Sequence, residues 1–240
     1  MARNTFRTSA IRSVAMVVLL TAAWQARAQE AKTPYPAMAP LEQYLIPDRN
    51  DEIKLARSAA PDSISRDAEV LVLGRHGYET AIQGKNGFTC MVERSWDAGI
   101  NDPNFWNPKL RGPNCFNASA ARSYLPRIIK KTELVIAGRT KTQMFDTIAA
   151  AIDRKELPAP ESGAMSYMLS KQGYLGDQAA GPWHPHLMFF TPQTGSNAWG
   201  ADLPGSPIIT SQNLEERLTV FLIPVRRWSD GTPDVPQDAH

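Results

Sequence analysis

Cysteine and histidine are scarce in this chain, with two and four among 240 residues. The two cysteines are too far apart for a C-x-x-C pair, which excludes a zinc ribbon or a thioredoxin-like redox motif. Glycine-rich phosphate loops of either common spacing are absent, so the nucleotide enzymes that use them are excluded. There is no G-x-S-x-G nucleophile elbow and no H-E-x-x-H. The S-x-x-K pattern fails as well, because Leu169 stands three places after Ser166 and Lys171 directly follows Ser170. No apolar run approaches the roughly 20 residues that a spanning helix needs. No repeat recurs at a fixed period, which excludes solenoids and propellers.

A strong charge of one sign is also missing. The formal charge is +2, but Arg3, Arg7, Arg12 and Arg27 lie in a leading segment without acids. Taking those four from the 26 basic residues leaves 22 against 24 acidic ones, a charge of −2. Such a surface carries no basic field for nucleic acid or an anionic membrane.

What is present begins with that leader. Three arginines are followed by a short apolar run over 13–23 and by Ala26-Arg27-Ala28. This is the order of a secretory signal peptide, and cleavage is expected after Ala28. The expected product is extracytoplasmic, periplasmic or secreted, with no stable membrane insertion. Residues 29–45 hold three prolines and read as an extended lead-in, residues 46–228 as one folded domain, and residues 229–240 as a flexible tail.

Over the whole chain, 42% hydrophobic residues suffice for a proper core. The pattern predicts a helix over 51–59, then strands over 68–73, 78–82 and 88–96 separated by Gly and Asn-Gly, which favours an antiparallel meander. Helices are expected over 119–136, with Lys130 and Lys131 on the polar side, and from a Thr140–Gln143 capping box to about Lys155. Strands follow over 164–171, 186–191 and 218–225. The fold class is α+β: an antiparallel or mixed sheet packed against a helix pair. Between the elements run long irregular segments over 97–114, 173–185 and 192–205, carrying Trp106, Trp183 and Trp199. They suggest either loops pinned by their own tryptophans or an aromatic-walled ligand cleft.

Three features carry chemistry. Cys90 and Cys115 are expected to pair in an exported chain, with a thiol nucleophile or a metal ligand as rivals. In an extended segment, His184 and His186 place both rings on one side, where two imidazoles can chelate zinc or another divalent metal. A third ligand would come from His76, Glu93 or Asp177; no cofactor is expected otherwise. Glu93 and Arg94 interrupt an apolar strand, and a charge there is either paired or faces a cavity.

The segments 86–94 (NGFTCMVER), 163–170 (GAMSYMLS) and 184–190 (HPHLMFF) resemble those of a set of uncharacterised exported bacterial proteins, over much of 84–228. The resemblance implies a bacterial, extracytoplasmic setting and brings no activity with it. Two functions stay in view. One is a non-catalytic domain that binds a small molecule or a partner protein through its tryptophans. The other is a metal-assisted hydrolase built on His184, His186 and Glu93.

Overall fold

Capping chemistry sets the helix starts. In the computed structural model, which describes residues 34–177 and 184–234, Asp48 opens Arg49–Arg57 (α1) by accepting from the Asn50 amide at 2.7 Å. A short Asp62–Ser65 turn (α2) follows Pro61. The helix expected over 119–136 is broken at Tyr124 into Ala118–Ser123 (α3) and Leu125–Ile136 (α4). Pro126 causes the break, because proline fits only the first turn of a helix. Gly138, at φ 73°, ends α4 as a left-handed cap. Lys141–Asp153 (α5) then starts from the expected capping box, with Thr140 and Gln143 exchanging bonds of 3.2 and 3.1 Å. The leader 1–28 and residues 235–240 lie outside the described residues.

The strands are Glu69–Gly74 (β1), Gly77–Ile82 (β2), Thr89–Glu93 (β3), Gly112–Phe116 (β4), Met165–Met168 (β5), His186–Pro192 (β6), Ile209–Asn213 (β7) and Leu218–Pro224 (β8). They form one eight-stranded sheet in the order β2-β1-β3-β4-β5-β6-β8-β7. The described residues belong to one compact α+β unit.

Every pair in the sheet is antiparallel except β1–β3, which is parallel over Glu69↔Thr89 and Val70↔Cys90. The expected meander therefore holds only for the β1–β2 hairpin. After β2 the chain passes beneath the start of β1 and enters β3 on its far side. Gly84 makes that passage possible, since a Cβ there would lie 2.3 Å from the Glu69 nitrogen.

Alternation along the strands divides the core in two. Val70, Val72, Cys90, Val92 and Cys115 face α1. Leu71, Met91, Phe116, Phe190 and Val220 face α3 and α4. A third cluster joins Trp96, Phe105, Trp106 and Phe145 to Tyr44, which is fully buried. Residues 34–45 are thus packed rather than loose at their C-terminal end: the Tyr44 hydroxyl donates to the Trp106 carbonyl at 2.9 Å, and its ring centroid lies 5.0 Å from that of Trp96. The start of the expected tail also folds back, with the Ser229 amide donating to the Leu169 carbonyl at 2.9 Å.

Cys90 and Cys115 stand directly opposite each other in β3 and β4 and form a disulfide. No helix among the described residues is long and apolar enough to cross a membrane.

Candidate functional site

The face of the sheet that carries α3 and α4 is not covered evenly. Beside the α3–α4 break a cavity of about 290 Å³ opens between the sheet and the loop that joins β3 to β4. This is the volume of roughly ten water molecules. Its floor is Met168 from β5, Met188 from β6, and Val220 and Leu222 from β8, all placed on one face by strand alternation. Its other walls are Ala98, Gly99, Asp102 and Leu110 from the loop, Tyr124 from the break, and Ser211 and Asn213 from β7.

Two carboxyls occupy one end of this largely apolar space. Glu93 is the last residue of β3, and alternation puts it with Met91 on the cavity side. Directly after it the chain tightens into a 3-10 turn, Ser95–Asp97. The Asp97 side chain folds back and its Oδ2 accepts from the Arg94 amide at 3.0 Å. That cap returns a second carboxyl to the end of β3. The Oδ1 of Asp97 is buried and has no hydrogen-bond partner among the described residues. Glu93 Oε1 accepts from Nδ2 of Asn114, a fully buried side chain whose Oδ1 is also unpartnered.

The nearby cations are engaged elsewhere. Arg94 turns to the α1 face and meets Glu52 at 2.8 Å, both side chains fully buried, while its Nε donates to the Tyr44 carbonyl at 2.7 Å. Lys131 is buried and paired with Glu216, which corrects its expected place on the polar side of the helix. Arg127, also buried, donates to the carbonyls of Glu216 and Pro158 at 3.0 and 2.7 Å. Among the described residues neither Glu93 nor Asp97 has an ion pair of its own, although Lys131 Nζ donates to the Asp97 backbone carbonyl at 3.4 Å. Burial, reinforced by the Asp97 charge, raises the Glu93 carboxyl to about 8. Burial likewise raises Asp97 to about 7 against the opposing pull of Lys131.

The histidines separate. His186 lines the cavity, 9% exposed, and its Nδ1 lies 2.9 Å from the His184 carbonyl. A carbonyl only accepts, so Nδ1 carries the proton. Burial lowers the His186 pKa, which favours the neutral ring. His184 turns outward, half-exposed, to Asp234 at 2.7 Å. His76 is exposed at the β1–β2 turn, and exposed Asp177 accepts from the hydroxyls of Tyr35 and Tyr174. Among the described residues no group of three His, Cys, Asp or Glu side chains is placed to hold a metal ion.

The tryptophans occupy other places. Trp106 is buried against Phe105 and borders a separate hollow of about 420 Å³ beneath residues 35–38 and the start of α5. Trp199 lies flat on Phe221, 4.3 Å between centroids, on the opposite face of the sheet from the cavity. Trp183 lies outside the described residues.

Sequence reasoning singled out Glu93 and His186 and missed Asp97, Asp102 and Tyr124. The spacing of Glu93 and Asp97 is legible in the sequence; the turn that reunites them is not. No protein-family model, no curated protein and no solved structure matches this chain.

Proposed function

We propose that this chain is an exported protein that binds a small amphiphilic molecule in the cavity between its sheet and the β3–β4 loop. The observation that carries this reading is the combination of a methionine and aliphatic floor with two half-buried carboxyls at one end. Sites of this kind hold a ligand's body by apolar contact and its orientation by a few polar groups. The disulfide and the signal-like leader support export into an oxidising compartment. The alternative, a metal-assisted hydrolase on His184 and His186, draws support from the cavity position of His186 and loses it from the outward turn of His184 to Asp234.

Gly112 provides the test. An added Cβ meets Glu93, Met168 and Leu175 at ordinary distances of 3.5 to 3.6 Å, so a longer side chain has the cavity to fill. Protein incubated with an extract of its producing cells and examined by native mass spectrometry should retain a small molecule. Gly112→Leu should lose it while melting at the wild-type temperature or above. Retention of the same molecule by Gly112→Leu, or no retained molecule in the wild type, would count against the cavity.

A further inference from the structure

We propose that the cavity recognises a positively charged organic nitrogen, an amine or a guanidinium on an apolar body, seated between Glu93 and Asp97. This rests on the cavity-binding reading above and names the class of ligand.

The argument begins with charge pairing in the buried centre. Arg94 belongs to Glu52 and Lys131 to Glu216. Each buried cation with an acidic partner is thereby satisfied, and two further carboxyls remain in the same low-dielectric region. A buried carboxylate without a counter-charge is costly, so it either holds a proton or receives a cation.

Two acceptors then lack donors. Asp97 Oδ1 is buried and unpartnered, and so is Oδ1 of Asn114, which is fully buried and hydrogen-bonded through Nδ2 to Glu93. An ammonium offers three donors and a guanidinium five, which suits a cavity end that carries two carboxyls. A hard metal ion of the calcium or magnesium type takes six or more oxygen ligands and keeps its waters. The floor of Met168, Met188, Val220 and Leu222 serves a hydrocarbon body rather than a hydration shell.

The pH dependence follows from every group facing the pair: Arg94 at the end of β3, Lys131 and Tyr124 from the helices, Glu216 from the β7–β8 turn, His186 from β6 and Asp102 from the loop. With the carboxyls raised to about 8 and 7, a cation entering below those values displaces a proton. Its affinity should therefore rise about tenfold between pH 6 and pH 8, the effect of one proton leaving the Asp97 carboxyl near 7.

Three probes of one shape separate the possibilities: hexylammonium, hexanol and hexanoate, titrated into the disulfide-bonded protein. The NMR signals of the Met168 and Met188 methyl groups report occupancy. Hexylammonium should shift both signals, bind at least tenfold more tightly than hexanol at pH 8, and weaken about tenfold at pH 6. Asp97→Asn and Glu93→Gln should each remove most of that preference while leaving hexanol binding unchanged, which shows the cavity intact in both variants. Hexanol binding as tightly as hexylammonium, or hexanoate binding more tightly, would overturn the charge inference and leave the cavity reading in place. Absence of any methyl shift with all three probes would overturn the cavity reading itself.

Discussion

Asp97 caps the turn that carries it and also holds a carboxyl in a place where ionisation is costly. Its folded pKa of about 7 lies above the value of roughly 4 expected in an unfolded chain. The folded state therefore binds the proton more tightly. Stability from this group is fully present below about pH 4 and is lost as pH rises through 7. Glu93, raised to about 8, acts in the same direction. An amide in place of Asp97 retains an oxygen for the Arg94 amide and abolishes the titration. Relative to wild type, Asp97→Asn should gain melting temperature as pH is raised from 5 to 8, followed by calorimetry in matched buffers. A constant difference across that range would mean that the carboxyl is solvated and unperturbed. Glu93 was legible because a charge inside an apolar strand calls for a partner or a cavity. Its neighbour Arg94 took the partner, Glu52, and Glu93 took the cavity. Asp97 carried no such flag, because its role depends on a turn of three residues. Lys131 was misplaced because helical periodicity cannot foresee an acid arriving from the distant β7–β8 turn.

The β2–β3 passage is the element on which the topology depends. Its length resembles an ordinary hairpin loop, yet it delivers β3 to the other side of β1. Alanine at Gly84 would press its methyl group onto backbone atoms of Glu69, which cannot move without disturbing the β1–β3 ladder. Gly84→Ala should therefore lower unfolding free energy by about 1–3 kcal/mol, the usual cost of overpacking. A urea midpoint equal to wild type would show that the passage has slack. The helices were legible for local reasons: the capping box at Thr140, the αL glycine at 138 and the proline that splits α3 from α4 all act within a turn. The apolar strands β1, β3, β6 and β8 were legible from composition. β4 was hidden because Gly-Pro-Asn discourages strand assignment. The structure accommodates Pro113 because the β5 ladder reaches only Cys115 and Phe116, leaving that side of Pro113 without a strand bond. β7 was hidden by its polar run Thr-Ser-Gln-Asn, which suits the exposed edge it occupies.

At the scale of the molecule, the disulfide closes a loop with a sequence separation of 25 residues, and that loop contains one wall of the cavity. Chain entropy assigns such a closure about 3.5 kcal/mol. Cys90→Ala/Cys115→Ala should accordingly melt about 7–14 °C lower, given about 2–4 °C per kcal/mol for a domain of this size. An unchanged melting temperature would mean that the β3–β4 pairing alone holds the loop. The sequence revealed the pairing of these cysteines, because a chain read as exported offers its two cysteines no other partner. It could not reveal the cavity, whose lining comes from six strands, two loops and a helix break far apart in the chain. One consequence lies on the back of the sheet. Val220 and Leu222 face the cavity, while Phe221 between them points the other way and stacks against Trp199, whose indole is 39% exposed. A single strand's thickness separates the cavity from an indole at the water boundary. A molecule that filled the cavity and nudged β8 would thus reach a fluorophore, and the emission of Trp199 would serve as an optical gauge of filling.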